Sequence, residues 1–105
     1  MHQENDKIER YKIYLRLEKA LSANSIDAYL TDLDKLTNFV ESEGKKYADV
    51  TYDDLQQFVA RLRDIGIHPR SQARIISGIK SFYRFLFLDD YITIDPTELL
   101  ESPKI

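Results

Sequence analysis

Apolar residues recur at helical spacing in four stretches of the chain. In the first, over about Asn5 to Lys19, Ile8, Tyr11 and Leu15 share a stripe with Tyr14 and Leu17 offset from it, and no glycine or proline interrupts. The second runs from about Ser22 to Glu43. There Ile26, Leu30, Leu33, Thr37 and Val40 form the stripe, flanked by Tyr29 and Leu36. Ser22 is a candidate N-cap, with Asn24 and Ser25 as competitors, and Gly44 suits the left-handed residue that ends a helix. The third opens on Thr51-Tyr52-Asp53-Asp54, a capping box with Asp in place of Glu. Val50 and Leu55 fit a hydrophobic staple around that cap, and Leu55, Phe58, Val59 and Leu62 follow the i, i+3, i+4, i+7 rule before Gly66.

The fourth stretch starts near Pro69, which suits a first helical turn, and reaches about Leu88. Ile75, Ile76, Ile79, Phe82, Tyr83 and Leu86 take one side; Arg70, Arg74, Ser77, Ser81 and Arg84 take the other. Gly78 stands inside it, where glycine is unfavourable, and either close approach of another backbone or chance would account for it. Tyr91-Ile92-Thr93-Ile94 reads as an extended connector. Asp95-Pro96-Thr97-Glu98 resembles a helix start, with Leu99 and Leu100 tucking back. The pattern predicts an all-α bundle of four main helices plus a short C-terminal helix, in which Ile79, Phe82 and Leu86 pack on Leu33, Phe58 and Leu62.

Composition narrows the chemistry. At 105 residues, with 43% hydrophobic and 31% charged positions, the chain has the size and balance of one globular domain. It has no cysteine, so disulfides and thiolate metal sites are excluded, and with two histidines no metal site or cofactor is expected. The longest apolar run, Phe85-Leu86-Phe87-Leu88, is too short for a membrane, and the polar start from Met1 to Lys7 has no signal core; a cytoplasmic protein is expected. The pairs Asp32/Asp34, Asp53/Asp54 and Asp89/Asp90 read as solvent-facing or helix-end carboxylates rather than acid–base catalysts. His2 falls in a polar tail and His68 in a loop ahead of a helix. The seven tyrosines read mostly as core rings whose hydroxyls reach the surface.

Charge changes the picture. The net charge of −3 argues mildly against a nucleic-acid partner, but it is unevenly spread. From Ile65 to Leu88 there are four basic residues and no acidic one; the rest of the chain holds eleven basic against eighteen acidic residues. Ordinary solvated faces mix both signs. This one offers arginine and lysine among Ser, Gln and Gly, which lets a helix approach phosphates closely while the long cations reach oxygens or base edges. An acidic protein partner and a plain solvated face are the alternatives. Aromatic residues are sparse on the polar side, which disfavours stacking of single strands.

Four segments together resemble a known family. Tyr14-Leu-Arg-Leu-Glu-Lys-Ala-Leu-Ser-Ala-Asn-Ser-Ile-Asp-Ala-Tyr29 is similar to the opening pattern of tyrosine recombinases, most of all the Xer-type recombinases of bacteria. Ser71-Gln-Ala-Arg74-Ile-Ile-Ser77-Gly-Ile-Lys80-Ser-Phe82-Tyr-Arg-Phe85-Leu86 resembles the family's Ser-x-x-Arg-x-x-Ser-x-x-Lys/Arg helix. Asp95-Pro96 and Ser102-Pro103-Lys104 match the pair of motifs that leads into its linker.

The resemblance implies the N-terminal, SAM-like core-binding domain, spanning 1–101, with 102–105 opening the interdomain linker. The catalytic domain would lie outside this chain, so the fragment is expected to cleave nothing, and none of its tyrosines is the nucleophile. Double-stranded DNA and other recombinase protomers are the implied partners; the isolated fragment is expected to be a monomer. The family places its second and fourth helices on DNA. That carries Asn24 and Ser25 to phosphate contacts and Ser71, Arg74, Ser77 and Lys80 to the groove, while periodicity adds Arg70 and Arg84. Where the family often has arginines, this chain has Leu30-Thr31, which leaves Thr31 and Lys35 as weaker DNA-binding candidates. A helical protein-interaction module without DNA binding is the rival reading.

Overall fold

Four α-helices and one 3₁₀ turn make up the computed structural model, which describes residues 2–103: α1 (His2–Leu17), α2 (Ala23–Ser42), the 3₁₀ turn Tyr47–Asp49, α3 (Tyr52–Asp64) and α4 (Pro69–Leu88). No strand occurs among the described residues. Lys104 and Ile105, at the expected linker opening, lie outside them.

The helix boundaries have local causes. The Ser22 hydroxyl accepts the Ser25 N–H at 3.2 Å, which settles the cap of α2 in favour of Ser22. Thr51 and Asp54 exchange side-chain and backbone hydrogen bonds at 3.1 and 3.0 Å, so the Asp form of the capping box is real. Three helices end alike. Gly44, Gly66 and Asp90 take φ of +67°, +85° and +61°, and the next N–H, of Lys45, Ile67 or Tyr91, returns to the carbonyl five residues back. Asp90 does without glycine what Gly44 and Gly66 do with it, since a short polar side chain tolerates the left-handed region.

Helix α4 meets all three other helices, α2 most extensively, and α1 also packs on α2. The expected core residues are buried together: Ile79 is 1% exposed, Phe82 and Leu86 0%, and Leu33, Phe58 and Leu62 2–3%. Phe82 is its aromatic hub, with the rings of Tyr11, Tyr47 and Tyr83 edge-on at 5.0, 4.9 and 5.6 Å.

Several expectations need correction. The short C-terminal helix does not form: residues 96–99 make only a turn, in which Asp95 accepts from the Thr97 N–H and hydroxyl. Two turn hydrogen bonds give too little propagation to offset helix nucleation. Leu100 tucks into the core, but Leu99 stays exposed. In the connector, Ile92 is buried and Ile94 is not. On α1, Leu17 faces solvent, and the chain turns through Ala20 at φ +54°. The buried tyrosines do not reach the surface. Tyr11 donates to the Ser81 hydroxyl, Tyr83 to the Tyr47 carbonyl, and the Tyr47 hydroxyl bonds to that of Thr37. Buried hydroxyls must be satisfied internally. Gly78 has no close neighbour: a Cβ there would meet nothing within 4 Å, so close backbone approach is ruled out.

Ile79→Ala is expected to cost about 2–5 kcal/mol, since it deletes buried methylenes and leaves a cavity among packed rings. Urea unfolding of the two proteins measures it, and a loss under about 0.5 kcal/mol would misassign the α4 stripe. Alkaline pH probes the same core. Burial pushes the Tyr11 hydroxyl up to about 12 from an ordinary 10. The unfolded chain therefore loses this proton first, so stability is intact below about pH 10 and declines up to about pH 12, by about 2–3 kcal/mol. Urea unfolding across that window should show a shallower decline for Tyr11→Phe than for the parent.

Candidate nucleic-acid interface

The face with the cation surplus is assembled where α2 and α4 run together. His68 precedes α4 as its N-cap: its Nδ1 accepts the Arg70 N–H at 3.1 Å. This gives His68 a specific structural job in place of the loop role read from sequence. Pro69 follows at the first helical position. Gln72, which reads from the sequence as part of the polar face, is buried and donates to the Ile67 carbonyl at 2.8 Å. Ser81 likewise faces inward, toward Tyr11.

Ser25, Ala28, Tyr29 and Asp32 of α2 face Arg74, Ser77 and Gly78 of α4 across a shallow cleft of about 180 Å³. Asp32 is 5% exposed, so the expectation that it lies on a solvent face is wrong. Its carboxylate accepts two hydrogen bonds from the Arg74 guanidinium, Nε to Oδ2 at 2.8 Å and Nη2 to Oδ1 at 3.0 Å. The Arg74 side chain is nevertheless 61% exposed. The hydrogen bonds that Arg74 donates to Asp32, and then the Asp32 charge, raise the Arg74 pKa above its ordinary value. A buried carboxylate without such a partner would be strongly unfavourable. The sequence did hold a signal: Asp32 continues the spacing of Tyr29, Leu36 and Val40, so an acid stands in register with the buried stripe.

The remaining candidates spread around this cleft. Arg70 and Ser77 are exposed on α4; Ser71 and Lys80 are half-buried on it. Asn24 and Ser25 are exposed in the first turn of α2. The Thr31 hydroxyl donates to the Asp27 carbonyl at 2.8 Å, and Lys35 is half-buried. Neither Arg70, Lys80 nor Lys35 has an ion-pair partner among the described residues. Arg84 stands apart. It lies over the Phe87 ring and shares a different recess with Thr93, Ile94, Asp95 and Glu98. The structure thus joins Ser25, Arg74 and Ser77 and leaves Arg84 beside acidic residues.

Two further acids, Asp89 and Asp54, are tied to the scaffold. Asp89, at the C-terminus of α4, is held below the usual carboxylate range by hydrogen bonds from Arg10, whose Nε lies at 3.0 Å, with Lys7 at 3.6 Å adding to it. Asp54 is lowered chiefly by Lys45 at 2.6 Å and then by the Thr51 backbone. Among the described residues no group of three or more His, Asp or Glu is placed to hold a metal ion. No helix of the described residues is long and apolar enough to cross a membrane.

A four-helix, strandless fold with this α2–α4 face defines a class. The chain belongs to the phage integrase N-terminal SAM-like domain family, whose pattern matches residues 8–89. Its relatives are tyrosine recombinases. It is 37% identical over 102 residues to the tyrosine recombinase XerC of Roseiflexus sp. (strain RS-1), covering 96% of this chain and 33% of that protein. To the tyrosine recombinase XerD of Staphylococcus saprophyticus it is 41% identical over 98 residues, covering 92% and 33%. To the XerD of Rhizobium meliloti it is 33% identical over 97 residues, covering 92% and 31%. The chain spans about a third of the length of the curated relatives it matches.

The ion pair corrects the view of Arg74 as a merely exposed charge. Arg74→Ala strands a buried carboxylate and is expected to lower stability by about 1–3 kcal/mol. Lys80→Ala breaks no ion pair and is expected to stay within about 0.5 kcal/mol of the parent. Chemical denaturation of the three proteins checks the contrast.

Proposed function

We propose that this domain binds double-stranded DNA through the α2–α4 face, as the core-binding part of a site-specific tyrosine recombinase. The observation that carries the reading is the exposed cationic edge of α4 beside the first turn of α2, in a chain that is otherwise acidic. Arg70, Arg74 and Lys80 supply the charge. Asn24, Ser25, Ser71 and Ser77 supply short hydroxyl and amide groups that suit phosphate oxygens. The N–H groups opening α2 add a positive helix end on the same side. Thr31, Lys35 and Arg84 are peripheral to this grip. Residues 1–101 act as the core-binding domain and 102–105 as the opening of a linker to a catalytic domain.

In the whole protein, that second domain would cut and rejoin strands through a phosphotyrosine intermediate, with no metal or other cofactor. Other protomers of the recombinase would complete the synaptic complex. Resolution of chromosome dimers fits the kinship to XerC and XerD, and a cytoplasmic location goes with it. The 105 residues alone are a monomeric binding module and not an enzyme. A protein-interaction role has one specific observation in its favour. Ile13 and Leu17 on α1 are exposed, at 47% and 66%, beside a recess floored by Tyr14 and Phe85. Such a patch suits contact between protomers as well as any unrelated partner.

Duplex binding by the isolated domain is expected to be weak, with Kd of about 10⁻⁴–10⁻⁶ M near physiological salt. Reversing Arg70 and Lys80 to Glu should lower affinity and flatten the log–log salt dependence by about two units. The same reversal at Lys46 and Arg63, which are exposed elsewhere, should do less. A salt titration of all three proteins measures this. Equal losses from both pairs would reduce the binding to diffuse attraction, and no binding at low salt would refute the reading.

A further inference from the structure

Resting on the DNA-binding reading above, we infer that Asp32 is a positioning residue for DNA recognition: its buried carboxylate locks Arg74 so that the free edge of the guanidinium faces the DNA as a preset donor. A guanidinium has five N–H donors in a rigid fork. Asp32 takes one from Nε and one from Nη2, at 2.8 and 3.0 Å. Three donors remain, both on Nη1 and one on Nη2, along the edge away from the carboxylate. They belong to a side chain that is 61% exposed, whereas its anchor is 6% exposed. The anchor is rigid because it sits in the α2–α4 contact, the most extensive in the fold.

An unanchored arginine gives up much rotamer freedom when it docks on an acceptor pair. Arg74 has given it up already in the folded domain, so binding is spared that cost. The surroundings keep the free edge accessible. Ala28 and Gly78 border the cleft with little bulk. A Cβ at Gly78 would meet nothing within 4 Å, so helix packing does not require glycine there; an open cleft is consistent with it.

The sign of one substitution separates this role from a plain structural ion pair. Asp32→Asn removes a negative charge from a DNA-facing surface, and electrostatics alone then predicts tighter binding. Positioning predicts the reverse: about tenfold weaker binding, the scale of one charge-assisted contact. Arg74→Lys keeps the charge but lacks the fork, and is expected to lose a similar factor. It sits on an exposed side chain, so it remains informative if Asp32→Asn unfolds.

The experiment measures duplex affinity at fixed salt for the parent, D32N, R74K, D32N/R74A, R74A and K80E, each with a thermal melt. In the expected result D32N weakens binding in the parent and has little effect once Arg74 is Ala. A loss that is uniform across duplex sequences assigns the free edge to phosphate; a loss confined to some sequences assigns it to a base edge. Both uphold the inference. It is overturned if folded D32N binds as tightly as the parent or tighter, or if R74K binds like the parent. Failure of the underlying reading looks different: the parent does not bind duplex DNA, or K80E leaves its affinity unchanged.

Discussion

Helix α4 has to be buried on most sides and still present a usable edge. Twenty residues long, it packs on α1, α2 and α3, and its rings and aliphatic side chains supply the centre of the core. The bundle closes around it: α1 covers its C-terminal half through Tyr11, Tyr14 and Phe85, and α2 lies beside its N-terminal half. What remains uncovered, apart from the exposed Arg84, Phe87 and Leu88 near its C-terminus, is a strip along the N-terminal half that faces away from the core. Arg70, Arg74 and Ser77 occupy that strip because the apolar residues from Ile75 to Leu86 are spent on packing. Placement of this polar, cationic edge is therefore a by-product of packing, and a shift of α1 or α2 would move it.

Satisfied polar groups hold the core in one arrangement. Phe82 gives volume without direction; the three tyrosines around it give direction, because each hydroxyl has one specific partner. Tyr11 ties α1 to α4, Tyr83 ties α4 to the 3₁₀ turn, and Tyr47 ties that turn to α2. Slipping α1, α2 or α4 by a turn would leave a buried hydroxyl without a partner, at a cost of about 1–3 kcal/mol. At the far end of α4 the same logic applies to charge. Asp89 faces the negative end of the helix dipole, an unfavourable place for a carboxylate, and Arg10 and Lys7 of α1 compensate it.

Legibility from sequence followed the range of the interactions. Periods and caps act within one or two turns, and there most of the reading holds: Ser22, Thr51 with Asp54, Pro69, Gly44 and Gly66 all do what their positions suggest, while the cap by His68 goes unread. The stripe of α4 was right apart from Phe85 and Gln72, whose burial depends on α1 and on the loop before α4. Long-range pairs were invisible. Helical spacing sets Asp32 in register with the buried stripe and Asp34 off it, but nothing local shows that Arg74 lies across the cleft to pair with the buried acid. Asp90 and Ala20 carry left-handed turns without glycine, so composition gave no hint of them. The C-terminal start signal was genuine, since Asp95 caps Thr97, but a cap alone does not propagate a helix.

Those pairings also bear on what kind of grip the α2–α4 face can exert. Arg74 is paired with Asp32, and Arg84 shares its recess with Asp95 and Glu98, so the α4 cations away from these acids are Arg70 and Lys80. Two free cations on a chain of net charge −3 make a poor electrostatic attractor. A face of this kind gains from donors held in fixed geometry, since each ordered donor forgoes the entropy a flexible one must lose. Capped helix ends, short hydroxyls and an arginine tethered to a buried acid are all devices of that sort. Under the proposed DNA-binding reading, they suit a module that follows the shape of a duplex while other contacts provide the affinity, with discrimination left to geometry and not to charge.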